Sequence, residues 1–506
     1  MPRADKDLPS TPSPAVERQQ ADLTVVRDCW EGNSRLRDKA AEYLPKAPGE
    51  DPDSYRVRKL RSVFFNQFRN TIEGLVGYVF RQDPKLGDDV PQEIVSHWEN
   101  IDNAGTHGDV FARERMSDAM CAGHGAILVE FPPTDGTQTA GQELRGEVRP
   151  YWVPVPKDAI VSWRTTVENG RTLLTQLVLR ECAEVPEGEF GTTKQERFRV
   201  FSRKSTDAGV EVGYRLLEVT KQKAVVEVES GTYPTQDEIP VAEIVTSGKK
   251  GLFESMPPFL DLAHLNLAHY RQWSDYDTSI HKTCVPIWVE TGVDLMQAPD
   301  GTQMPAPIVL GPNAARVFTN PQATAQYQSH SGAALAQCAA ALQDLKTAMA
   351  ELGLAALASS KRAAETATAK EIDKSSSDSA LAVNARGLQD GLERALYFHA
   401  RYLKKPSGGS IEINRDYGEQ GMDAQKMVAW ATLAEKLGVP PRFVLERLME
   451  AGEIPETTDL DALEGEMLAE QAAREARRQQ ELAAQQERLM AGNGSGARGQ
   501  DAGVAA

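Results

Sequence analysis

Residues 252–286 read LFESMPPFLDLAHLNLAHYRQWSDYDTSIHKTCVP, and their spacing predicts one long helix. From Phe259 onward, Leu262, Ala263, Asn266, Tyr270, Trp273, Asp277 and Ile280 recur at helical intervals, and Pro286 closes the element. At about 1.5 Å per residue it spans about 40 Å, long enough to cross a small domain. The stripe is mixed rather than aliphatic. His264 and His269 are five apart and share no face, so they read as packing residues rather than a metal pair. Asp275 and Asp277 are two apart in the same helix and point to different sides.

On the C-terminal side come three short runs with strand character, PIWVETGV, PIVLG and ARVFT, with DLMQAPDGTQMPA as the loop between the first two. Ile287, Trp288, Val289, Ile308 and Val309 are the apolar positions of this insertion. A second helix follows in GAALAQCAAALQDLKTAMAELGLAALA, where Leu335, Ala339, Leu342, Leu345, Met349 and Leu352 keep helical spacing and the alanines permit close helix approach. It is interrupted at Ser359, Ser360, Lys361 and Arg362, and a third, more polar helix is expected from about Glu365 to Leu403. The Gly-rich KKPSGGS then leads into a single strand, IEINRD, two further helices, a charged helix from Leu460 and a Gly/Ala tail.

On the N-terminal side, residues 1–20 are proline-rich and polar, and read as a flexible arm with helix beginning near Val16. Val57, Leu60, Phe64, Phe68, Ile72, Leu75, Val76 and Val79 predict one long amphipathic helix ending before Pro84, and a second helical region covers 91–122. The text then changes to β-branched and aromatic runs separated by Gly, Pro and Asp: GAILVEFPP, RPYWVPVPKDAIVSW, TLLTQLVLREC, RFRVFSR, GYRLLEV and AVVEVESGTY. This predicts an antiparallel sheet region ending near Lys250, and an α+β fold class overall.

With 41% hydrophobic and 25% charged residues among 506, the chain has the make-up of a protein with buried cores. A formal charge of −17 argues against a tight, sequence-independent nucleic-acid groove. The five cysteines, Cys29, Cys121, Cys182, Cys284 and Cys338, lack metal spacing and read as buried thiols in a reducing cytoplasm. No stretch approaches the roughly 18 consecutive apolar residues of a membrane helix. TSGKKG lacks the first glycine and the Ser/Thr of a phosphate-binding loop, GNGSG lies in the tail, and HExxH and a strand-borne GxGxxG are absent. No catalytic residue, metal ligand or cofactor is therefore expected, and a structural or binding role is.

The order of these elements, together with the segments EYLPK, YRVRKLRSVFFNQFRNTIEGLVGYVFRQDP, GHGAILVEFP, RPYWVPVPKDAIVSWR, LNLAHY and ETATAKEI, resembles the portal proteins of tailed bacteriophages. The likeness is to a siphovirus-type branch often labelled only as a domain of unknown function, and it covers roughly residues 20–460. It implies an arm at 1–20, an α+β wing at 21–251, stem helices at 252–285 and 332–358, and a β-rich clip at 286–331. A tunnel loop at 359–364, a channel helix at 365–404, a returning wing strand at 405–419, a helical crown at 420–490 and a disordered tail at 491–506 complete the expectation. On this resemblance Phe259, Leu262, Tyr270 and Trp273 pack the stem, with Tyr270 and Trp273 at contacts between neighbouring subunits. Ser359, Ser360, Lys361 and Arg362 hang into the channel.

The implied role is a homo-oligomeric, usually dodecameric ring at one capsid vertex of the virion, assembled in the host cytoplasm and without a membrane. It would pass double-stranded DNA during packaging and ejection. Its partners would be the large terminase subunit, the major capsid protein or scaffold, and a head-completion or connector protein. A non-portal head-morphogenesis scaffold and a nucleic-acid-processing enzyme with a site scattered through the sequence are the alternative readings.

Overall fold

The computed structural model describes residues 8–132, 148–206, 209–283, 287–292, 295–297, 301–305, 317–328, 333–355, 380–415 and 417, and scattered positions from 442 to 483. Helix α1 (Pro14–Glu31) starts where Ser13 accepts the Val16 N–H and Pro14 fills the first turn. Short helices α2 (Asn33–Asp38) and α3 (Ala40–Tyr43) are tied back to it by the buried Asp28, which accepts from Arg35, Lys39 and Tyr43.

The single long helix expected between Val57 and Val79 is two helices, α4 (Pro52–Arg61) and α5 (Gln67–Val79). Three asparagines hold the break open by standing in for peptide groups. Asn33 accepts the Phe64 N–H and donates to its carbonyl, Asn266 does the same for Phe68 N–H and Phe65 carbonyl, and Asn66 caps α5. Val57 and Leu60 are consequently exposed, whereas Phe64, Phe68, Ile72, Leu75, Val76 and Val79 are buried. The region 91–122 likewise divides, into α6 (Gln92–Trp98) and α7 (Gly108–Ala122). A Cβ at Gly108 would stand 2.1 Å from the Trp98 ring, so glycine is what lets α7 begin there.

The β region is antiparallel throughout. β1 (Lys85–Leu86) is a short edge strand that lies before α6 in the chain. Strand β2 (His124–Glu130), buried along its whole length, lies between β3 (Tyr151–Pro156) and β9 (Val241–Val245). A five-stranded meander follows β3: β4 (Ile160–Glu168), β5 (Arg171–Glu187), β6 (Gly191–Thr206), β7 (Gly209–Val219) and β8 (Val225–Thr232). The main core forms where Ala126 and Leu128 of the smaller sheet meet Leu177, Leu179, Phe201 and Tyr214 of the meander. A two-stranded hairpin, β10 (Lys249–Gly251) with β11 (Glu254–Ser255), ends the region.

Beyond it stand α8 (Leu260–Thr283), strands β12 (Ile287–Thr291), β13 (Leu295–Gln297), β14 (Gln303–Pro305) and β15 (Thr324–Gln328), α9 (Ala333–Ala355), α10 (Ala380–Tyr402) and β16 (Ile411–Glu412). Helix α10 lies on β9 and β2. It can approach because Gly387 and Gly391, one turn apart, face the strand: a Cβ on Gly387 would fall 1.8 Å from the Val245 carbonyl oxygen. Strand β16 returns to pair with β1. Residues Met1–Asp416 form one compact unit and Tyr417–Ala506 a second. In the second, helix is described at 460–465 and 476–480, and Arg442 pairs with Asp461.

Two expectations for the insertion change. The loop DLMQAPDGTQMPA contains the β13–β14 hairpin, and ARVFT carries no strand over Val317–Thr319; the strand that returns to β12 is β15. The thiols also divide, Cys29 and Cys121 being buried but Cys182 and Cys338 exposed. No described helix is long and apolar enough to cross a membrane.

Candidate functional site

Helices α8 and α9 pack side by side, and the β12–β15 pair joins the end of one to the start of the other, so they run antiparallel as a hairpin crowned by the β insertion. The inner side of α8 is built by Leu262, Ala263, Asn266, Leu267 and Tyr270, with Phe259 just before it. Tyr270, 1% exposed, packs edge-on against Phe64 at 5.7 Å. Phe259, Leu262 and Tyr270 thus fill the core of their own chain. Tyr270 has no surface left for a neighbouring subunit to cover, which corrects the expected contact between chains.

Trp273 is half-buried, its ring edge-on to Phe65 at 4.9 Å and stacked beside His269 at 6.4 Å. His269 is fully buried, and burial, reinforced by Lys346, holds its imidazole below the usual histidine range. Lys346 of α9 lies over the Phe65 ring at 5.3 Å. The break between α4 and α5 is therefore what wedges the hairpin onto the body. Tyr270→Ala is expected to cost about 3–5 kcal/mol and Trp273→Ala, half-exposed, clearly less, which urea denaturation of the two variants will compare.

The carboxylates of α8 are engaged by arginines of α4. Asp277 pairs with Arg61 at 3.1 Å and Asp275 approaches Arg58 at 4.0 Å, while Arg58 is held chiefly by Glu50 at 2.8 Å. Among the described residues no cluster of three or more His, Cys, Asp or Glu could hold a metal ion.

Among its described side chains, helix α9 buries Leu342, Met349 and Gly353, with Leu335, Ala339, Leu345 and Ala348 partly covered. Gly353 abuts Thr71 of α5. The exposed residues of α9 mix small side chains with polar ones: Ala334, Ala336, Cys338, Ala340, Ala341, Ala350 and Leu352 stand among Gln337, Gln343, Asp344, Lys346, Thr347 and Glu351.

The insertion has a five-residue ladder from Ile287↔Gln328 to Thr291↔Thr324. Trp288 packs on Tyr327 at 4.8 Å and donates its indole N–H to Glu290, and Val289 is half-buried. Ile287 is 65% exposed, and Leu295, Met304, Val317 and Tyr327 are exposed as well. Ile308, Val309, Ser359, Ser360, Lys361 and Arg362 lie outside the described residues.

The family described as "Domain of unknown function (DUF4055)" matches residues 258–403, the span from the start of α8 to the end of α10. No curated protein matches. Among solved structures the chain is similar to a chain of the virion of native gene transfer agent particle, at 12% identity and TM-score 0.36, over 79% of this chain and 92% of that one. It is also similar to a chain in the neck of the empty particle computed with C6 symmetry, at 13% identity and TM-score 0.37, over 81% and 96%. A chain in the neck of the native particle computed with C12 symmetry gives 11%, 0.34, 79% and 93%. Likenesses at these TM-scores do not establish a shared fold.

Proposed function

We propose that this chain is a portal subunit: a protein that self-assembles into a ring, dodecameric on the resemblance, at one vertex of a phage-like capsid and forms the conduit for double-stranded DNA. The observation that carries the reading is the set of small exposed residues on α9, Ala336, Ala340 and Ala341 among them, on a helical hairpin whose other side is already packed against the body. Small residues there allow a neighbouring helix to approach closely, and a contact between unlike surfaces of identical chains closes into a ring when the rotation permits. The uncovered apolar residues of the insertion supply the surface on which the large terminase subunit, and later a head-completion or connector protein, would dock in turn. The outer body would meet the major capsid protein or scaffold.

The overall charge of −17 suits a conduit, since a lining rich in carboxylates lets phosphate pass without holding it. Lys361 and Arg362 would add one sparse belt of positive charge. In this reading the protein performs no covalent chemistry and needs no cofactor.

Ala340 tests the carrying observation because it is exposed in the single chain. Ala340→Glu places a charge in the proposed helix contact and is expected to shift the chain from ring to monomer in native mass spectrometry, while Ala340→Ser leaves the ring. An unchanged oligomer for Ala340→Glu at the same concentration would remove this face from the assembly.

A further inference from the structure

The meander does more than cover the core. β4 pairs with β5 only as far as Leu179, and β7 pairs with β6 only as far as Phe198. Beyond those points Glu181–Glu187 and Gly191–Arg197 pair with each other alone, a two-stranded ribbon that projects about 23 Å at about 3.3 Å per residue. Its base is anchored: Arg199 bridges Glu181 and Glu130, and Arg197 pairs with Glu218.

Its tip is shaped by two glycines, Gly188 at φ 74° and Gly191, where a Cβ would meet the Glu187 carbonyl oxygen at 2.5 Å. Between them Phe190 is 91% exposed, flanked by Glu187 and Glu189, neither of which has an ion-pair partner among the described residues. Glu184 and Lys194 face each other further down. A two-stranded ribbon is marginal in water by itself, and a large aromatic held out at its end has no role in the core.

The same sheet offers a receptor. On the face turned away from the core, Val178, Val200 and Leu217 form an apolar floor. Residues 8–14 cross beside it, tied down by the Ser13 N–H to the Val161 carbonyl, and leave a groove of about 850 Å³. Arg164 and Arg215 border the groove, both exposed and without an ion-pair partner among the described residues; Glu17 lines it too. The ribbon cannot reach its own groove, because Val200 and Gly191 lie nine residues, about 30 Å, apart on one extended strand.

We propose that the ribbon is an interlocking arm that seats Phe190 in the outer-sheet groove of a second copy of this chain, with Glu187 and Glu189 against Arg164 and Arg215. An acidic tip with an apolar end matches an apolar groove with a basic border in both charge and character. One arm and one groove per chain make a head-to-tail contact. The inference rests on the self-association proposed above but not on the passage of DNA.

A photo-crosslinking benzoylphenylalanine at position 190, in assemblies mixed from light and heavy isotope-labelled chains, tests it directly. The expected adducts join light to heavy chains at residues 8–17, 162–164 or 215–217. Adducts confined to one chain or to another region, or none in an intact ring, overturn the arm while leaving the ring; absence of any oligomer overturns both. Phe190→Asp is expected to raise the concentration for half-assembly at least about tenfold, and Phe190→Leu far less. Arg164→Glu with Arg215→Glu should weaken assembly similarly, and adding Glu187→Lys with Glu189→Lys should restore it. Wild-type assembly by Phe190→Asp contradicts the proposal.

Discussion

Particles built with a chain lacking residues 290–325 are expected to contain no DNA above background, although the rest of the chain keeps its fold. The cut is chosen from the ladder: Val289 and Gln326 are cross-strand partners, so an Asn-Gly turn can rejoin them without moving α8 or α9. Among the described residues, the buried positions of α8 lie from Leu260 to Ser274, ahead of the insertion in the chain. Loss of filling would therefore report loss of a docking surface rather than of stability, and an unchanged melting transition of the purified variant checks that separation. DNA-filled particles at the parental frequency would show that β12–β15 is not where the packaging machinery attaches.

Lowering the pH from 7 to 5 is expected to destabilise the chain by several kcal/mol, before most carboxylates titrate. His124 and His399 are almost wholly buried, and burial holds both well below the usual histidine range; Lys157, Lys249 and Arg27 add to this at His124, and His97 and Arg149 at His399. The unfolded chain takes up these protons near the ordinary histidine pKa while the folded chain does not, so stability is complete above about pH 6.5 and is lost as pH falls below it. Each contributes about 1.4 kcal/mol per pH unit in that window, about 3 together. His97 and His269 are shifted the same way by burial.

Bonding explains why His399 resists a proton. The Trp152 indole N–H can only donate, so it gives its hydrogen to His399 Nδ1 at 3.2 Å, and His399 Nε2 must then donate to His97 Nδ1 at 2.9 Å. A second proton on His399 would set two hydrogens face to face and release α10 from β3 and α6. Glutamine offers the same acceptor and donor without titrating. His399→Gln should accordingly flatten the dependence of the urea midpoint on pH by about 1.4 kcal/mol per unit. A midpoint that does not move between pH 7 and 5 would contradict the neutral assignment.

The parts of the fold legible in sequence were those with local causes. β-Branched and aromatic runs bounded by Gly, Pro and Asp mark β2 to β8, and helical spacing with Pro286 marks α8, because each pattern arises within one element. The break at Ser62–Asn66 was not legible, since it depends on Asn33 and Asn266, which lie far away in sequence but accept and donate like peptide groups there. Strand β9 is only VAEIV, and its pairing with β2 bridges more than a hundred residues. The site was partly legible in the same sense. Helical spacing placed Tyr270 on a packed face, but could not say that Phe64 of the same chain fills the place beside it. The ribbon tip escaped because Glu, Lys and Thr occupy both of its faces, so no apolar alternation signals a strand; EGEFG between two polar runs was the available clue.

Electron microscopy of the purified full-length chain tests the central claim most directly. The account predicts rings with an open central hole, with Ala340→Glu reducing them to single subunits on the same grid. Monomers, fibres or closed discs from the parental chain at concentrations where it is folded would contradict it.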